Sequence, residues 1–181
     1  MLAAGVLAQI AFLSLPIGLP SVSVPLRDGL SLSTAQLGIV LGAPTVGMIT
    51  TLYLWGRLTD RVGEALVVTV GLLGAAAALL LATRVHSAAG LTAVLALAGA
   101  FGSSCNTASG RAVMAWFPGR QRGLAMGIRQ AALPAAGAIS AVVLPPLVVS
   151  HGLDAGLATL ALACLVAALV AGGVLRRPAP A

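Results

Sequence analysis

Six helices crossing a lipid bilayer, an all-α membrane protein, form the fold class this sequence predicts, and three observations predict it. First, residues 1–26, 29–56, 65–83, 85–110, 130–153 and 155–175 contain no Asp, Glu, Lys or Arg, and each run is 19 to 28 residues long. A helix of about 20 apolar residues spans the hydrocarbon layer of roughly 30 Å. Second, 59% of the residues are hydrophobic and only 8% are charged, where a soluble domain has about a quarter of its residues charged. Third, the arginines concentrate in the short gaps between the runs. Lipid offers the backbone no hydrogen-bond partner, so each run must satisfy its own amides as a helix.

The expected spans are about 3–26, 35–56, 65–83, 88–115, 122–149 and 153–175, a six-helix domain over 1–175 with 176–181 as a cytoplasmic tail or the start of a central loop. The first run starts at Met1 without a charged n-region, and no small-residue cleavage site precedes a soluble domain, so it reads as a span and not a cleaved signal. Pro16, Pro20 and Pro25 mark kinks or ends in it. Arg27 and Asp28 lie in the first connection, from Pro25 to Ala35 (PLRDGLSLSTA). Span two contains Pro44 and leads into Gly56–Glu64 (GRLTDRVGE). Span three, rich in Ala, Gly and Leu, ends before Arg84–Ser87. Span four is apolar until Ser103, Ser104, Asn106 and Thr107, and Pro118–Arg122 (PGRQR) follows it. Span five holds Pro134, Pro145 and Pro146, Ser150–Asp154 (SHGLD) makes the next turn, and the prolines of Arg176–Ala181 (RRPAPA) stop span six. The 22 glycines suit close helix packing, because lipid gives helices no hydrophobic drive to associate.

Arginine distribution sets the expected orientation. The second, fourth and final connections hold Arg57, Arg61, Arg120, Arg122, Arg176 and Arg177, against Arg27 and Arg84 in the first and third. Positive residues in short loops stay inside. Both termini are therefore expected in the cytoplasm, with His86 and His151 outside, in a multi-pass protein of a bacterial plasma membrane.

Several function classes find no support. The net charge of +6 comes with 3% aromatics and no basic stripe for nucleic acid. Cys105 and Cys164 lie inside spans without CxxC or Cys/His spacing, so no metal or cofactor is expected. An enzyme would need an activated nucleophile, and Ser103-Ser104-Cys105 has no His or carboxylate at its depth.

The motif Gly56-Arg57-Leu58-Thr59-Asp60-Arg61-Val62-Gly63 resembles the signature loop between helices two and three of the major facilitator superfamily. Trp116–Gly127 (WFPGRQRGLAMG) is similar to that family's helix four to five connection, and Ser33-Thr34-Ala35-Gln36-Leu37-Gly38 to its first external loop. Gly127-Ile128-Arg129-Gln130 followed by Leu144-Pro145 looks like cyanate-permease-type bacterial facilitators. The LPxxG around Pro134 lacks the glycine that the family's antiporter motif places before proline.

The resemblance implies the N-terminal half of a major-facilitator fold, two inverted three-helix repeats, in a secondary active transporter working by alternating access. It implies a second six-helix half as partner: a further segment, a separate chain or a second copy. Gly56, Asp60, Arg61, Gly63, Glu64 and Arg111 would form the conformational-gating loop. Gly56 would let a neighbouring helix pack, Gly63 would permit the turn, and Asp60 would latch the two halves. The family's basic residue four positions after the motif acid is Glu64 here, which suggests a charge-swapped pair with Arg111.

Arg129, Gln130 and Asn106 are the candidate substrate-binding residues. A charge inside a span is costly and faces the bundle interior or water, and a cavity with Arg129 and no intramembrane acid favours an anionic small molecule. Snorkelling of Arg129 is the structural alternative. The rival function is a self-standing six-helix channel or scaffold working as a homodimer.

Overall fold

The computed structural model describes residues 2–108, 110 and 118–174. Among them, six helical spans are long and apolar enough to cross a membrane: Leu2–Gly29, Thr34–Val62, Glu64–Ala82, Ala88–Ala108, Gly119–His151 and Leu153–Val174, numbered one to six below.

Three of the spans are interrupted. Span one is helical over Leu2–Gly18, tightens to a 3₁₀ turn at Leu19–Val22 and resumes over Ser23–Gly29. Pro20 has no N–H for the carbonyl four residues back, and Ser21 Oγ donates to the Gly18 carbonyl at 2.6 Å within the break. Span four is regular over Ala88–Gly102, breaks at Ser103 and continues to Ala108. Span five, expected as one helix, is two: Gly119–Gln130 and Ala132–His151, meeting at Ala131. Pro134 accounts for that joint, because it cannot donate to the Gln130 carbonyl and its ring crowds that oxygen. Pro44, Pro145 and Pro146, by contrast, lie inside continuous helices.

Span two begins on a capping box. Ser33 Oγ accepts from the Gln36 amide at 3.3 Å and Gln36 Oε1 accepts from the Ser33 amide at 2.9 Å. Two otherwise unbonded N–H groups are thus satisfied at the helix start.

The packing has an internal symmetry. The main pairs are span two with four, three with six, three with four, one with five, and one with six, joined by the sequential pairs two–three and five–six. Exchanging one with four, two with five and three with six turns this set into itself. Two repeats of three helices, interleaved, give that pattern.

Two close crossings fall on a symmetric pair of contacts. Gly47 of span two faces the Ala96 carbonyl of span four, and Gly99 of span four faces the Pro44 carbonyl of span two. In both places a Cβ would enter the partner's backbone. The counterpart crossing puts Gly18 of span one against Ser140 and Leu144 of span five. The Ala100 carbonyl, just before the break in span four, accepts from Trp55 Nε1 at 2.6 Å, Thr51 Oγ1 at 2.9 Å and Ser103 Oγ at 2.9 Å. Polar groups of span two thus cap the break in span four.

Candidate functional site

The broken spans bring their polar residues to one place. Arg129, on the last turn before the joint in span five, is only 7% exposed. Its Nη2 donates to the backbone carbonyl of Asn106 in span four at 3.0 Å, and its Nη1 to Gln130 Oε1 at 2.9 Å. The Asn106 side chain reaches further across the bundle. Its Oδ1 accepts from Gln9 Nε2 of span one at 3.5 Å, and its Nδ2 lies 3.4 Å from Met48 Sδ of span two. Four spans therefore converge on one polar cluster, about 15 Å along span five from Gly119 at 1.5 Å per residue.

All three candidate substrate residues take part, and the structure adds Gln9, which the sequence reading passed over. Gln9 is 3% exposed, and its Oε1 has no hydrogen-bond partner among the described residues. A signal for it existed: Gln9 is the only amide or charged side chain among residues 1–26. Between residues 65 and 153 the sequence contains no carboxylate. The cluster is thus cationic, with amide dipoles around a forked, permanently protonated donor. Gln130 is exposed, so the cluster opens on the surface of span five.

The gating-loop residues lie at the end of the bundle where span two turns into span three. Span two ends at Val62 and span three begins at Glu64, leaving Gly63 as the sole link. Gly63 has φ 88°, a left-handed conformation that costs a side-chain-bearing residue energy, and its N–H bonds the Thr59 carbonyl at 3.0 Å. Glu64 stands at the first position of span three, where an acid favours the helix dipole. Asp60 and Arg61 are exposed. Among the described residues, a Cβ on Gly56 would touch nothing within 4 Å. Arg111 lies outside the described residues, as do Trp116, Phe117 and the 176–181 tail, so the Glu64–Arg111 pair remains a sequence expectation.

Comparison with known proteins bears on this arrangement. The sequence profile of the Major Facilitator Superfamily matches residues 3–181. The chain belongs to the major facilitator superfamily. Two similar relatives are described as uncharacterized MFS-type transporters of Mycobacterium tuberculosis, from strains CDC 1551 / Oshkosh and ATCC 25618 / H37Rv. Each is 43% identical over 135 residues, 75% of this chain and 30% of the relative. The chain therefore spans about a third of the length of the curated relatives it matches. The superfamily is one of membrane transporters and not of enzymes. The all-helical bundle with its two interleaved repeats is a six-helix half of the superfamily's fold.

Proposed function

We propose that this chain is the N-terminal half of a secondary transporter that carries a small anionic solute by alternating access. One observation carries the reading: a buried arginine, Arg129, sits beside the joint of a broken span and bonds the backbone of a second broken span. Transporters place their sites at such discontinuous helices, where freed backbone groups and half-helix ends can meet a solute. Gln9, Asn106, Arg129 and Gln130 form one wall of the path, and a second six-helix half supplies the other. Uptake of a panel of labelled small carboxylates by the complete protein in proteoliposomes tests the solute class. Uptake of cationic or neutral solutes alone would refute it.

In the same reading Gly56 and Asp60, one helical turn apart on span two, present a smooth, acidic edge to the second half. Asp60 lies in the last turn of its own helix, so its partner would be a helix N-terminus of the second half, and an acid facing a helix N-terminus contributes about 0.3–1 kcal/mol, and up to about 2 when partly buried. Asp60→Asn is therefore expected to lower transport per folded molecule by roughly fivefold, corresponding to about 1 kcal/mol. Uptake normalised to the folded fraction reads this directly, and an unchanged normalised rate would remove Asp60 from the latch.

The arginine bias puts the Gly63 end of the bundle in the cytoplasm with both termini. A single cysteine at position 151 should then react with an impermeant maleimide added to intact cells. Labelling at position 119 but not at 151 would invert the topology.

A further inference from the structure

Around the last turns of span two, at about 100° per residue, the side chains sort into successive faces. Gly56 and Asp60 share one, Arg57 and Arg61 the next, and Leu54 and Leu58 the one after. Trp55 follows, bonded to span four through the Ala100 carbonyl. Arg57, Arg61, Leu54 and Leu58 line one exposed hollow of about 290 Å³. Leu54 and Leu58 also line a second of similar size, an apolar groove between spans two and four walled by Trp55, Leu97 and Phe101. The two hollows share their leucines and so adjoin, making a shallow surface channel that is apolar between spans two and four and is flanked beyond the leucines by two guanidiniums.

The arginine end is partly organised. The Arg57 guanidinium lies over the Tyr53 ring, 5.6 Å from its centroid, with Nη1 3.4 Å from Tyr53 Oη. The groove end is walled by Trp55 and Phe101, whose rings pack at 6.3 Å between centroids. Phe101 also packs on Gly74 of span three.

We propose that this channel binds one anionic phospholipid, with an acyl chain along the groove and the phosphate between Arg57 and Arg61. Charge complementarity selects the occupant. A zwitterionic lipid matches the groove equally well but brings a cationic group to a doubly cationic rim. A soluble anion matches the rim but leaves the groove empty. Guanidinium forks bond phosphate oxygens in pairs, and basic pockets between membrane helices hold anionic headgroups. This placement rests on the reading above: a second half docked on the neighbouring Gly56–Asp60 face would leave this channel open to lipid.

The test uses the complete protein in mild detergent, titrated with phosphatidylglycerol or phosphatidylcholine of identical acyl chains. Bound lipid is counted by native mass spectrometry, and thermal unfolding is followed in parallel. The wild type should retain phosphatidylglycerol over phosphatidylcholine by roughly fivefold or more, the ratio that about one basic contact supports. Inorganic phosphate should not displace it. Arg57→Gln with Arg61→Gln should abolish the preference, while the double lysine variant, which preserves the charge that fixes topology, should keep part of it. Leu97→Trp, which narrows the groove at an exposed position, should weaken retention with both arginines present. Equal retention of the two lipids, displacement by phosphate, or a preference that survives the double glutamine variant would each overturn the assignment.

Discussion

Arg129→Gln is expected to weaken substrate binding by at least tenfold in the complete protein. A hydrogen bond to a charged group contributes about 1.5–3 kcal/mol, and about 1.4 kcal/mol is a factor of ten. Glutamine keeps some length and a donor for the Asn106 carbonyl but removes the charge and the fork. Lysine at 129 keeps the charge and one donor direction, so it should recover part of the affinity and not all of it. The structural role of Arg129, bridging spans five and four at 3.0 Å, makes matched stability a necessary control. The measurement is the KM for counterflow of labelled small carboxylates, taken beside thermal unfolding of each variant. A variant that loses stability but keeps its KM would leave Arg129 as a brace between two helices and nothing more.

The largest effect on folding is expected at the crossing of spans two and four. Gly99→Leu would drive a side chain into the Pro44 backbone, and Gly47→Leu would do the same at Ala96. Backbone cannot swing aside as a rotamer can, so the helices must separate. That separation also strains the bonds from Trp55 and Thr51 to the Ala100 carbonyl. Overpacking a close-packed interior costs about 1–3 kcal/mol and sometimes more, so most of the folded protein should be lost. Gly38→Leu is the control, since a Cβ there meets nothing within 4 Å. Size-exclusion profiles of fluorescently tagged variants after heating would read the difference. Indistinguishable melting of Gly99→Leu and Gly38→Leu would mean that the crossing is looser than described.

The number of spans was legible because lipid imposes a rule that reads off composition: a charge-free run of sufficient length must be a helix. Gly63 was legible too, since a one-residue turn between helices demands a residue tolerant of positive φ. Which spans pack together was not, because small residues occur in every span and give no address. The joint at Ala131 was half legible. Pro134 announced a disturbance, but Pro44 and Pro145 carry the same mark and leave their helices intact. Asn106, Arg129 and Gln130 were found from their polarity alone, and the structure brings them together. Gln9 escaped because its partner lies 97 positions away, and a lone amide in an apolar run carries no sign of what it will meet.

The interleaving of the two repeats has a consequence for how the molecule is made. Span one finds its main neighbours in spans five and six, the last of the six to be synthesised. Ala11 of span one meets Cys164 of span six across 153 positions. Each helix can form in the bilayer as it is synthesised, since its backbone bonds are its own. Span one, however, must wait, with Gln9 facing lipid or passing water, until the late helices arrive. Assembly of the first three spans alone would leave the Gly47–Gly99 and Gly18–Ser140 crossings unmade. A nascent chain stalled before span five could therefore pack spans two, three and four on one another, but span one would still lack its main neighbours.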